Sequence, residues 1–284
     1  MAHGPLAGKT MFISGASRGI GLAIAKRVAA DGANVALVAK TAEPHPKLPG
    51  TVYTAAQEIE DAGGRALPIV GDIRDGDSVA AAVAKTVEEF GGIDICVNNA
   101  SAINLGSIED VPLKRFDLMN GIQVRGTYAV IQACIPHLKG GDNPHILTLS
   151  PPLRLEPKWL TPTPYMMAKF GMTLCALGAA EELREAGVAS NTLWPRTMVA
   201  TAAVQNLLGG DEAMARSRKP EVYADAAYAV LTRPARDYTG QTLLCEDVLL
   251  DAGVTDLSQY DCVPGSELGV DFWVDGPNPP GYAG

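Results

Sequence analysis

Apolar runs too short for helices alternate with helical patterns along this chain, and that rhythm limits it to few architectures. Thr10-Met11-Phe12-Ile13-Ser14 is the first such run. It stops at Gly15-Ala16-Ser17-Arg18-Gly19-Ile20-Gly21, after which Ile20, Ala23, Ile24 and Val28 recur at helical spacing. Asp31-Gly32 ends that helix, and Val35-Ala36-Leu37-Val38 is the next strand. Strand, tight turn, helix and strand make a βαβ unit of about thirty residues. Further strands are expected over 67–70, 93–97, 146–149, 188–193 and 241–244. Helices are expected over 75–90, within 113–138 and over 165–185. Strands that are apolar throughout are buried on both faces. The pattern therefore predicts an α/β protein with a doubly wound, Rossmann-type parallel sheet flanked by helices on both faces, and a ligand site at the carboxyl ends of the strands.

A chain of 284 residues that is 47% hydrophobic can fill such a core. No linker interrupts the alternation, so residues 1–284 are expected to form a single domain, with 258–284 as a C-terminal tail. The tail is rich in Pro, Gly and Asp and carries one apolar patch, Phe272-Trp273-Val274. The formal net charge is -9 with no basic block, which argues against a nucleic-acid partner. Five scattered cysteines form no Cys-x-x-Cys, and His3, His45, His137 and His145 form no ligand-spaced cluster. Neither a disulfide framework nor a histidine metal site is expected. No targeting leader and no span long enough for a bilayer is evident, so a soluble cytoplasmic protein is predicted.

The glycines at 15, 19 and 21 lie between the first strand and the first helix. There they permit a close backbone approach, and the free N–H groups of the helix would meet a pyrophosphate. A carboxylate after the second strand would bind a ribose 2′-hydroxyl and repel a 2′-phosphate. The strand instead ends Val38-Ala39-Lys40. Lys40, with Arg18 and Lys47 nearby in sequence, favours NADP(H), while NAD(H) stays open.

These features, with Asn98-Asn99-Ala100, with Tyr165 and Lys169, and with Asn191-Thr192-Leu193-Trp194-Pro195, resemble the short-chain dehydrogenase/reductase family over nearly the whole chain up to about residue 250. Within it the chain resembles the hydroxysteroid dehydrogenase-like protein 2 group, through Ala39-Lys40-Thr41, Pro44-His45-Pro46-Lys47-Leu48 and Ile146-Leu147-Thr148-Leu149-Ser150-Pro151-Pro152. Eukaryotic members of that group carry an added sterol-carrier domain, to which the resemblance does not extend. The resemblance implies that Gly15 through Gly21, Lys40 and Asp72 contact the adenosine and pyrophosphate half of the cofactor, with Asp72 at the adenine amino group. It places Asn99 near a ribose and Thr197 at the nicotinamide amide, and makes Tyr165 and Lys169 catalytic.

Residues i and i+4 share a helix face, so Tyr165 and Lys169 would point into one cleft. A free tyrosine with a pKa of about 10 is a poor base at neutral pH. A nearby ammonium and an oxidised nicotinamide would favour the phenolate. Tyr165 would then give a proton to a carbonyl oxygen as hydride arrives, or remove one from an alcohol.

Two positions depart from the family pattern. The serine that usually follows the fifth strand falls on Pro151, with Ser150 one residue early; Ser150, Thr161 or Thr163 would have to replace it. The usual asparagine of the water relay behind the lysine is Gln123, with Asn120 one turn earlier. Apolar residues at Leu153, Leu155, Trp159, Leu160, Met166, Trp194, Met198, Val199, Leu207 and Leu208 suit an apolar alcohol or ketone. The long helices, through Val130, Ile131, Leu174, Leu177 and Ala180, point to a homo-oligomer, a dimer or tetramer. The expected function is an NADP-dependent oxidoreductase with Tyr165 as acid/base. The alternatives are a dinucleotide-binding sensor with little turnover and, third, a purely structural subunit.

Overall fold

In β1 (Thr10–Ser14) Met11 and Ile13 face one side of the sheet and Phe12 the other, and all three are fully buried. An apolar run is what a strand needs when both of its faces are covered. The computed structural model describes residues 4–44, 48 and 50–274. On the face of Met11 and Ile13, α1 (Gly19–Ala29) packs with Ile24, Ala25 and Val28, beside Tyr223, Ala227 and Val230 of α9 (Glu221–Leu231). Phe12 meets Val79 and Val83 of α3 (Gly76–Phe90) and Val130 and Cys134 of α5 (Gly126–Leu138).

The remaining strands are β2 (Asn34–Ala39), β3 (Arg65–Val70), β4 (Ile95–Asn98), β5 (His145–Thr148), β6 (Ala189–Trp194) and β7 (Thr242–Leu244). All pair in parallel, in the order β3–β2–β1–β4–β5–β6–β7. The chain winds outward from β1 to β3, then returns to β4 on the other side of β1. The carboxyl ends of β1 and β4 therefore diverge into a crevice, as expected for this doubly wound topology.

Several elements go beyond the sequence reading. Val52, Ala55, Ala56 and Ile59 form the buried face of α2 (Val52–Asp61), which Thr51 and Thr54 cap reciprocally. The helical region over 113–138 is not uniform. A π-helical segment, Gly121–Arg125, separates α4 (Leu113–Asn120) from α5, and Gln123 within it is completely buried. After α6 (Thr163–Glu182) and β6 come α7 (Ala202–Leu207), α8 (Gly210–Ala215) and α9, with α10 (Cys245–Asp251) after β7.

Phe272-Trp273-Val274 needs no second subunit to cover it. Trp273 is 1% exposed and stacks against Tyr165, Phe170 and Trp194 at centroid distances of 5.5, 5.5 and 5.9 Å. Its Nε1 donates to the Trp159 carbonyl at 2.8 Å, and Trp194 Nε1 donates to the Phe272 carbonyl at 2.9 Å. Val130, Ile131 and Ala180 likewise lie in the chain's own core, whereas Leu174 is 59% exposed. Among the described residues no helix is long and apolar enough to cross a membrane. Replacing Trp273 by alanine should cost about 3–5 kcal/mol in urea denaturation, the usual loss for a fully buried aromatic. A loss below about 1 kcal/mol would mean that the tail is not part of the core.

Candidate functional site

A cavity of about 750 Å³ opens where the ends of β1 and β4 part. Gly15, Ser17, Arg18, Gly19 and Ile20 line one end of it. Gly15 has φ +73°, and a Cβ there would stand 2.7 Å from Ala100 Cα, so the turn requires glycine. No side chain caps the start of α1, and no acidic residue occupies its first turn. The N–H groups of that turn are thus open to an anion, and the residues present fit a dinucleotide pyrophosphate. Ala16 and Gly21 do not line the cavity. Ala16 is fully buried, and a Cβ on Gly21 would meet the Asn99 amide at 2.5 Å. Asn99 lines the cavity while its Nδ2 donates to the carbonyls of Ser14 and Gly15 at 3.0 and 2.8 Å.

The cations beside β2 are less free than the sequence suggests. Lys40 lines the cavity but pairs with Asp72 at 3.3 Å. Arg74 grips the same carboxylate, and its hydrogen bonds, aided by Lys40, hold Asp72 well below the ordinary aspartate range. Arg18 reaches across to the Gly50 carbonyl at 2.9 Å. Lys47 lies outside the described residues.

Tyr165 and Lys169 lie one turn apart on α6 and face the cavity, at 5% and 4% exposure. Lys169 Nζ donates to the Leu149 carbonyl at 2.9 Å and sits 5.0 Å over the Trp194 ring. Burial pulls its pKa down to about 8, against the opposing charge of Asp271. The protein's own groups shift the Tyr165 phenol upward. Burial, then the negative charge of Asp271, push the phenol well above its ordinary value, while a hydrogen bond with Ser101 pulls the other way.

Asp271 and Phe272 also line the cavity, and sequence reasoning missed both because the tail has no periodicity to place it. Burial raises the Asp271 carboxyl to about 7, opposed by a hydrogen bond from the Phe272 N–H at 2.7 Å and by Lys169. The Phe272 ring meets Tyr165 edge-on at 6.2 Å. Ser101 and Thr201 are two further lining residues that no motif flagged.

Other expected site residues lie elsewhere. Ser150 is fully buried below the cavity wall, its hydroxyl 2.9 Å from that of Thr173, which donates to the Pro151 carbonyl at 2.7 Å. The chain turns inward directly after β5, so this hydroxyl faces α6 and away from the cavity. Thr163 donates to the Leu160 carbonyl, and neither it nor Thr161 lines the cavity. Thr197 is 1% exposed and donates to Glu246 at 3.1 Å, because β6 continues into a bridge with Val270 that turns the side chain inward. Gln123 accepts from the Ala102 N–H at 3.1 Å, and its Nε2 has no hydrogen-bond partner among the described residues. Asn120 bonds back to the Phe116 carbonyl of its own helix. Of the apolar residues expected as walls, Trp194, Val199, Leu207 and Leu208 line the cavity, whereas Leu155 is 77% exposed.

The raised pKa of Asp271 has a stability consequence. Between about 4 and about 7 the folded protein keeps a proton that the unfolded chain has released, so this group's contribution to stability falls as pH rises through that window. Asp271→Asn should remove that loss. The variant should gain stability relative to the unmodified protein from pH 4 to pH 7.5, read by urea midpoints. An unchanged difference across this range would refute the assignment.

The model of the short chain dehydrogenase family matches residues 9–210. Hydroxysteroid dehydrogenase-like protein 2 of Danio rerio is 55% identical over 274 residues; these cover 96% of this chain and 65% of that protein, so the chain spans just under two thirds of its length. A short chain dehydrogenase from Mycobacterium thermoresistibile is 88% identical, with a TM-score of 0.92 over 98% of this chain and 99% of that one. A blue fluorescent protein from a metagenomic library, solved in complex with NADPH, is 26% identical, with a TM-score of 0.73 over 89% of this chain and 100% of that one. With the parallel sheet and the cavity at its switch point, these likenesses establish that the chain belongs to the short-chain dehydrogenase/reductase family of nicotinamide-dependent oxidoreductases.

Proposed function

We propose that the chain is an NADP-dependent oxidoreductase interconverting a carbonyl and a secondary alcohol of an apolar substrate, with Tyr165 as the acid–base group. The observation that carries the proposal is the pair Tyr165 and Lys169 on the wall of the same cavity into which the glycine turn and the open end of α1 face. Bound there, the nicotinamide dinucleotide supplies or accepts the hydride. Ser17, Arg18, Gly19 and Ile20 receive its pyrophosphate, Asn99 a ribose, and Lys40 with Arg18 a 2′-phosphate. No acid stands directly after β2, where Lys40 is found, and the similar blue fluorescent protein solved with NADPH is in keeping with that choice. Asp72, tied by Arg74 and Lys40, offers the acceptor for the adenine amino group.

A phenol held above its ordinary pKa is protonated at neutral pH and suited to give that proton to a carbonyl oxygen. Lys169, fixed by the Leu149 carbonyl, sets the electrostatics beside it. Ile103, Trp194, Val199, Leu207 and Phe272 give the cavity apolar walls. Exposed Tyr128, Met167 and Leu174 on α5 and α6 support a homo-oligomer. A second reading, cofactor binding with little turnover, is favoured by one observation: no hydroxyl from the end of β5 reaches the cavity.

Tyr165→Phe should abolish NADPH oxidation by carbonyl substrates while NADPH affinity stays within about twofold, since only the transferable proton is removed. Full activity in that variant would sink the mechanism. Lys40→Asp should weaken NADPH by about 1.5–3 kcal/mol, the scale of a charged hydrogen bond, and level or reverse the preference over NADH. Equal affinities of the unmodified protein for both cofactors by fluorescence titration would contradict the NADP assignment.

A further inference from the structure

We propose that Ser101, at the end of β4, holds the substrate oxygen opposite Tyr165, and that Gln123 is the positioning residue that keeps it there. The inference rests on the oxidoreductase reading above. Ser101 is exposed and lines the same cavity as Tyr165, and the next residue, Ala102, packs against the cluster that holds the Tyr165 ring. The serine that follows β5 is turned under the wall against Thr173, so it is not available for this task.

The loop around Ser101 is fixed on both sides. Before it, the N–H groups of Asn99 and Ala100 each donate to Ser14 Oγ at 3.2 Å. The Asn99 side chain adds its bonds to the carbonyls of Ser14 and Gly15. After it, the Ala102 N–H donates to Gln123 Oε1 at 3.1 Å. Gln123 reaches that N–H from the π-helical segment, whose altered turn aims its side chain into the interior. A buried amide oxygen is costly unless bonded, and the Ala102 N–H is the partner that this one has. Both departures from the family pattern thereby acquire one explanation. The hydroxyl has moved from the end of β5 to the end of β4, and the longer amide of Gln123 braces its new position.

In reduction, a carbonyl oxygen at Tyr165 Oη would accept two hydrogen bonds. Tyr165 would transfer its proton to that oxygen, while a bound reduced dinucleotide would supply the hydride to the carbonyl carbon. Ser101 donates a hydrogen bond throughout and keeps its own proton. Its contribution grows as negative charge develops on the oxygen.

The test uses the full chain with NADPH and phenanthrenequinone, an apolar dicarbonyl whose reduction is followed by loss of NADPH absorbance. Ser101→Ala should lower kcat by roughly 100–1,000-fold with NADPH affinity and thermal midpoint unchanged. Ser101→Thr should restore most of the rate, and Ser150→Ala should leave it unaffected. Gln123→Met, which keeps the volume but not the acceptor, should lower kcat more than it raises KM. On the Tyr165→Phe background, where no turnover competes, adding Ser101→Ala should weaken binding of the quinone to the NADPH complex about 3–10-fold, by tryptophan quenching. Full activity in Ser101→Ala together with inactivity in Tyr165→Phe would overturn the role of Ser101 and leave the oxidoreductase reading standing. Full activity in Tyr165→Phe would overturn that reading itself. A large rate loss in Ser150→Ala would return the role to Ser150.

Discussion

The side chain of Asn99 fastens the two lips of the crevice on which the site depends. Its amide spans from the end of β4 to the carbonyls of Ser14 and Gly15 at the end of β1. The ladder pairs β1 with β4 as far as Ser14 and Asn98, but past that point the chain leaves the two strands in opposite directions and the separation of the lips needs other bonds. These two bonds, with the two that Ser14 Oγ accepts from Asn99 and Ala100, set that separation. The close approach leaves no room for a Cβ on Gly15 or Gly21. Those two glycines are therefore packing glycines, while Gly19 opens α1 toward the cavity. One motif serves two physical ends.

The sheet was legible because its strands are covered twice. Val35, Ala36, Leu37 and Val38 carry no polar face, so their run stands out. Helices were harder where the apolar face is built from small side chains or runs almost all the way round. The buried face of α2 carries three positions held by small or short side chains, and α9 is apolar almost all round. The π-helical segment leaves no mark in the sequence, since it changes where Gln123 points without changing the apolar pattern.

Within the site, Tyr165 and Lys169 were legible because helical spacing alone brings them together. Ser150 and Thr197 were not, because each lies just past a strand end, where the direction of a side chain depends on how the chain turns. After β5 it turns inward, giving Ser150 to Thr173. After β6 it runs into a bridge with the tail, giving Thr197 to Glu246. Asp271 reaches the cavity from a segment with no periodicity. Its place is fixed by tertiary contacts: a backbone bond to the Arg196 carbonyl and the stacking of Trp273 on Tyr165.

Burial works against charge on all three titratable groups around the reacting position. It raises Tyr165, raises Asp271 to about 7 and lowers Lys169 to about 8. Near neutral pH the phenol holds its proton, while Asp271 and Lys169 each sit within about a unit of changing state. Their charges favour each other, so losing either one weakens the case for the other. The tail that supplies Asp271 also supplies Phe272 and Trp273, which cover Tyr165 and deepen its desolvation. Packing and acid–base chemistry are thus joined through one segment. The stacking that secures the tail thus also adds to the desolvation that pushes the Tyr165 phenol upward.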